Sequence, residues 1–169
     1  MFFIVSWVTL VVGFVVHLLV DRSANRRTTY RVVELALLWV LVGGGAWALF
    51  GALGHLGPNS TEIAEGIGYR PSMFQWEVGW GDVAIGVLGI GCIWRRDAWM
   101  TAAVVVLAIG YGGDAIGHIM SWLGPDNNTA SDNVWGIPSD IIQPALAVGL
   151  LFAYRRMTPR TAPTPSVSA

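Results

Sequence analysis

Six ionisable side chains, His55, Glu77, Asp82, Asp114, His118 and Asp140, fall within or at the ends of long apolar stretches. Imidazoles and carboxylates are the groups that exchange protons and ligate metals near neutral pH. A charge near the centre of a bilayer costs at least ~2.5 kcal/mol, so intramembrane acids pair, face a cavity or hold a ligand. Spacing gathers them. Gly110, Asp114 and His118 recur every fourth residue and share one helical face. Gly113 and Gly117 lie beside them as a small-residue pair, expected to admit a closely packed helix. Asp82 shares a face with Gly86 and Gly89, while Glu77, a turn earlier, is rotated away from it. Gly44, Ala48 and Ala52 form a ridge leading to His55, and Asp140, Gln143, Pro144 and Ala147 follow helical spacing.

These positions suggest two layers. His55, Glu77, His118 and Asp140 form an outer one, a first shell suited to a divalent metal such as Fe, Mn or Zn. Asp82, Asp114 and Gln143 form an inner layer, and with Gln75 would act as supporting or proton-relay groups. Bundles build metal sites from facing helices in this way. Helix N-termini at Glu77 and Asp140 would favour the ionised carboxylates that a metal needs. A redox-active metal with an open coordination position would imply oxidoreductase chemistry. The same acids also suit a proton- or cation-coupled transporter or channel. Against that stand the absence of inverted repeats and the sparse polarity of the opposite half. A haem between His55 and His118 is a weaker fit, because carboxylates surround both. Plainer roles compete: Glu77 and Asp140 as first-turn carboxylates, His55 as an interfacial residue, Asp82 and Asp114 sharing one proton, and Asp114 with His118 as a structural pair. Glu34 and His17 read as interfacial groups with Arg31 and Asp21 as partners. Nothing marks Ser121 as an activated nucleophile, and no glycine-rich run has a nucleotide-binding context. Catalytic residues are not named by this sequence.

The elements that must carry these groups are membrane helices. Of 169 residues 54% are hydrophobic and 12% charged, and the mean hydropathy is +0.56. That is too apolar for an ordinary soluble domain. Stretches 2–20, 32–56, 76–94, 98–123 and 139–154 suit spanning helices. They predict an all-α, polytopic bundle of about five helices forming a single domain over 1–156, with a disordered cytoplasmic tail at 157–169. The first stretch lacks a basic start, and Val20-Asp21-Arg22 is no small-residue cleavage site, so it reads as a retained helix. All ten basic residues are arginine, and only Arg70 falls on the side opposite the rest. The positive-inside rule then puts the N-terminus outside and the C-terminus in the cytoplasm of a bacterial plasma (inner) membrane. Trp76, Trp122 and Trp135 suit the outer interface, Trp94 and Trp99 the inner.

The 57–75 connection, with Ser60 as a hydroxyl cap, reads as a short interfacial helix. Residues 124–138, rich in Gly, Pro, Asn and Asp, read as an irregular loop. No internal repeat is evident. A net charge of −1 argues against nucleic acid, and Cys92, the lone cysteine, excludes an intramolecular disulfide. The expected surroundings are the lipid bilayer and, through small-residue faces, a second copy or the partner of an accessory subunit.

The runs Gly51-Ala52-Leu53-Gly54-His55, Phe74-Gln75-Trp76-Glu77-Val78-Gly79 and Tyr111 with Gly117-His118-Ile119 resemble DUF6790, an uncharacterised bacterial family of small multi-pass membrane proteins. The resemblance covers roughly residues 30–152. Its matching positions are His55, Gln75, Glu77, His118 and Asp140, and Asp114 departs from the pattern. It implies a membrane bundle and supplies no activity.

Overall fold

A computed structural model describes residues 2–157. The tail expected beyond Met157 lies outside the described residues. Every regular element among them is helical: α1 (Phe2–Val20), α2 (Thr29–Leu56), α3 (Ser60–Ile67), α4 (Phe74–Gly91), α5 (Ala98–Leu123) and α6 (Ser131–Met157). Local chemistry sets several ends. The Thr28 side chain accepts a hydrogen bond from the Arg31 amide at the start of α2, and Asp97 does the same for Trp99 at the start of α5. Gly68 closes α3 with φ 82°, a left-handed conformation that glycine adopts without strain.

Helices α1, α2, α5 and α6 are long and apolar enough to cross a membrane. Their outward faces carry bare aliphatics: Leu19, Leu53 and Ile109 are each more than 70% exposed. Such a surface suits hydrocarbon rather than water. The expected third span, 76–94, forms α4 but stops at Gly91 and is not among the helices long and apolar enough to cross. Its 18 residues include Gln75, Glu77, Asp82 and several glycines, which lower its hydropathy. Tertiary packing seats it instead. A methyl group on Gly89 would collide with the Leu41 carbonyl, and one on Gly45 would stand 3.0 Å from the Gly86 carbonyl. The α2 and α4 backbones meet at these small residues.

The bundle consists of two antiparallel pairs. Helix α2 packs most extensively on α4 and α5 on α6, while α4 against α5 and α2 against α6 close the ring. Helix α1 lies outside, chiefly against α2, where the Trp39 ring covers Gly13. At the arginine-bearing end the interior is apolar, with Leu35, Leu37, Leu41, Met100 and Leu107 fully buried.

Charge at that end is paired. Arg31 grips Asp21 through Nε at 2.9 Å and Nη2 at 3.1 Å, and reaches Glu34 through Nη1 at 2.7 Å. Arg96 donates to the other Glu34 oxygen at 2.7 Å. The Arg31 hydrogen bonds hold the Asp21 carboxyl well below the usual carboxylate range, against the effect of burial and with help from Ser23. His17 takes no part, contrary to the sequence reading. Its Nδ1 accepts from the Trp39 indole at 3.2 Å, because the α1–α2 crossing carries it away from Asp21.

Two further expectations are corrected. Ser60 is the first residue of α3, with Asn59 in the cap position and no side-chain cap bond. The 124–138 segment is not all loop, since α6 begins at Ser131 and runs through Pro138 and Pro144. An internal proline removes one backbone hydrogen bond without necessarily ending a helix. Asn133 anchors the early turn by donating to the carbonyls of His118 and Asn128.

Candidate functional site

At the arginine-poor end the two helix pairs enclose a cavity of about 390 Å³. Helix α1 contributes Phe2, Phe3, Ser6 and Leu10 to its wall, and α3 covers it with Glu62, Ile63, Gly66 and Ile67. Helix α3 is held in place by Asn128, which donates to the Ile67 carbonyl at 2.8 Å and to Ser121 Oγ at 3.1 Å.

Two imidazoles reach this cavity, one from each helix pair. On the first side, His55 near the end of α2 places Nδ1 2.6 Å from Gln75 Oε1 on α4. Its Nε2 faces Asp82 Oδ2 at 4.0 Å. On the second, His118 near the end of α5 places Nδ1 2.7 Å from Asn133 Oδ1 on α6. Its Nε2 faces Asp140 Oδ2 at 3.7 Å. The Asn133 amide is oriented by its two backbone acceptors, so its oxygen must point at the ring. An amide oxygen only accepts, hence the His118 Nδ1 carries the proton and its Nε2 turns toward Asp140, while His55 has the same geometry between Gln75 and Asp82. The result is two imidazole–carboxyl couples of like arrangement. Gly136 leaves room for the second ring, since a methyl group there would stand 3.2 Å from His118 Nε2. Tyr69 stacks on the same ring with centroids 6.2 Å apart.

The couples share one electrostatic environment. Asp114 lines the same cavity as His55, Asp82, His118 and Asp140. Asp140 is only 7% exposed, and no hydrogen bond to its carboxyl is found among the described residues. Gln143 lies deeper, packed on Gly44, with its amide donating to the Val40 carbonyl at 3.4 Å.

The eight sequence candidates therefore separate. His55, Gln75, Asp82, Asp114, His118, Asp140 and Gln143 all line the cavity. Glu77 does not; it is exposed in the first turn of α4, as the plainer first-turn reading has it. The four-ligand shell of His55, Glu77, His118 and Asp140 is thus not assembled. Among the described residues, no group of three or more His, Cys, Asp or Glu side chains is arranged to hold a metal ion. Asp140 also has no helix N-terminus beside it, because α6 starts at Ser131 and Asp140 lies well inside. Nor do Asp82 and Asp114 hydrogen-bond each other; the ion-pair partner of Asp82 is His55. Gly113 and Gly117 have nothing within 4 Å of where a Cβ would stand, so they face open space rather than a closely packed helix.

Asn133 and Tyr69 escaped the sequence reading, and Tyr111 entered it only as part of the family resemblance. Asn133 was readable in retrospect: it precedes Asp140 by the same interval that separates Gln75 from Asp82. Each imidazole also follows a glycine, in Gly54-His55 and Gly117-His118, and each of those helices runs into Leu-Gly-Pro, at Leu56-Gly57-Pro58 and Leu123-Gly124-Pro125. The two pairs repeat one plan, an order that divergence at the intervening positions hides from a search for repeats.

A family model described as a family of unknown function (DUF6790) matches residues 1–160. No curated protein matches the chain, and no solved structure does.

Proposed function

Starting from a chain that belongs to the DUF6790 family, we propose a membrane protein that binds a small cationic organic ligand, a protonated amine, in the cavity at its arginine-poor end. One observation carries this reading. Five carboxyl side chains, Glu62, Asp82, Asp114, Asp132 and Asp140, line the cavity with two imidazoles, and no arginine joins them. Of these acids Asp82 and Asp140 are the most enclosed, each facing an imidazole beyond direct hydrogen-bond range, and enclosed acids demand protons or a cation. The walls supply the rest of a cation site: Phe2, Phe3, Trp47, Tyr69, Phe74 and Tyr111 offer aromatic surface, and ring faces attract ammonium groups. The volume favours an organic molecule over a bare ion, since one water needs only ~10–15 Å³ by the same measure.

The arginine distribution supports placing the cavity on the extracytoplasmic side of a plasma membrane. The apolar interior at the other end supports binding over open conduction. Passage of the ligand would require the helices to move. The His–carboxyl couples supply the acid–base function, taking up or releasing protons as the ammonium enters and leaves.

Calorimetric titration of the full chain in nanodiscs with benzylamine and with benzyl alcohol tests the reading. Binding of the ammonium but not the alcohol, weakened about tenfold or more by Asp114→Asn, is expected; tenfold corresponds to ~1.4 kcal/mol. Equal binding of both compounds would refute it. Metal analysis of protein prepared without chelator belongs beside it, because an amide on Nδ1 is also how a ligating imidazole is held. Near-stoichiometric Fe, Mn or Zn that disappears in His118→Ala would replace the amine with a metal.

A further inference from the structure

The arrangement of the couples says more about the ligand than its charge. In each helix pair the imidazole comes from near the end of the first helix, and the amide and carboxyl come from the second. The amide and carboxyl stand at Gln75 and Asp82 in one pair and at Asn133 and Asp140 in the other. The order is the same in both: helix, imidazole, connection, amide, carboxyl. Both second helices also lead to paired arginines, Arg95-Arg96 just beyond α4 and Arg155-Arg156 in the last turn of α6. The cavity therefore has two like ends rather than one centre.

We propose, resting on the cation-binding reading above, that the ligand is two-ended: a small diammonium compound with one amine at the His55–Asp82 couple and the other at the His118–Asp140 couple. Two features support two seats. Asp140 is 7% exposed and lines the cavity, its carboxyl accepts no hydrogen bond among the described residues, and its ion-pair partner His118 stands at 3.7 Å. Asp82 is in the same position with respect to His55 at 4.0 Å. Each separation exceeds a direct hydrogen bond. Each carboxyl therefore has free acceptor capacity for an ammonium donor. A single small cation at one couple would leave the other carboxyl uncompensated. A ligand carrying two amines satisfies both and gains from linkage, since the second contact becomes intramolecular once the first is made.

The couples need not be equally strong. Asp114 stands four residues before His118, where the other pair has Gly51 before His55. The extra carboxyl makes the α5–α6 end the more negative, so a monoamine would settle there first.

The experiment is titration of nanodisc-embedded full-length protein with 1,3-diaminopropane through 1,6-diaminohexane and with butylamine, all as their hydrochlorides at one pH and ionic strength. One diamine is expected to bind at least about tenfold more tightly than butylamine, with affinity peaking at one chain length. Asp82→Asn and Asp140→Asn should each bring that diamine to within about threefold of butylamine. Equal affinity for butylamine and every diamine would overturn the two-ended site and leave the cation pocket standing. Failure of all these amines to bind would overturn the pocket as well. The wild-type series decides the matter even if neither variant folds.

Discussion

The two ends of this bundle handle buried charge in opposite ways. At the arginine-bearing end, Asp21, Arg31, Glu34 and Arg96 form a continuous chain of hydrogen-bonded ion pairs at 2.7–3.1 Å. At the other end, Asp82 and Asp140 stand 4.0 and 3.7 Å from their imidazoles. The first arrangement neutralises its charges within the protein and ties the connection after α1 to α2 and to the α4–α5 turn. The second leaves acceptor capacity pointed into a cavity. Closed pairing is what a structural charge network needs, and open pairing is what a binding site needs. The two sets of acids differ in what meets them.

Removing the shared cation should break this contrast most strongly. Arg31→Met would leave Asp21 without its guanidinium and Glu34 with Arg96 alone, so a clear loss of thermal stability is expected. Thermal unfolding in a fixed detergent measures it; a loss below about 1 kcal/mol would mean the network is ornamental. The opposite sign is expected at the other end. Asp140→Asn relieves a buried acid with no direct partner, so stability should hold or rise by ~0.5–2 kcal/mol while amine binding falls. A large drop in melting temperature would make Asp140 a structural residue instead.

Acid titration sharpens the comparison. A carboxyl held below its unfolded pKa of about 3.9 stabilises the fold above that value. It loses that contribution as pH falls toward the lower folded value. Asp21 is such a group. Below about pH 4, the wild type should therefore lose stability more steeply than Asp21→Asn, as urea midpoints across the acid range would record. Parallel curves would remove Arg31 pairing as the cause. Glu77→Gln should have the smallest effect, within about ±0.5 kcal/mol on stability and with no change in ligand affinity, because Glu77 is exposed and outside the cavity. Any loss of binding would return Glu77 to the site.

Much of the candidate site could be read from residue type and period. The four-residue recurrence that joins Asp114 to His118 is set by helix geometry, and both side chains do line the cavity. The Gly86 and Gly89 face likewise meets α2 at close range. What failed depended on boundaries and rotations. Glu77 and Asp82 lie on one helix, yet only the α2–α4 crossing decides which of them looks inward. Asp140 looked like a first-turn residue because Gly, Pro and Asn cluster before it. Asn133 anchors those residues as helix through contacts to His118 on α5 that no local signal encodes.

The sequence by itself determined that this chain is a set of apolar helices with arginines gathered toward one end and acids and imidazoles toward the other. Those are consequences of local hydropathy and of helical period, both written in consecutive residues. Only the tertiary structure decided that each imidazole takes an amide and a carboxyl from the next long helix, and that the two resulting couples share one cavity. Partners twenty residues apart, such as His55 and Gln75, meet only when whole helices pack. Packing is governed by small-residue contacts and chain crossings, which the sequence permits without specifying residue by residue.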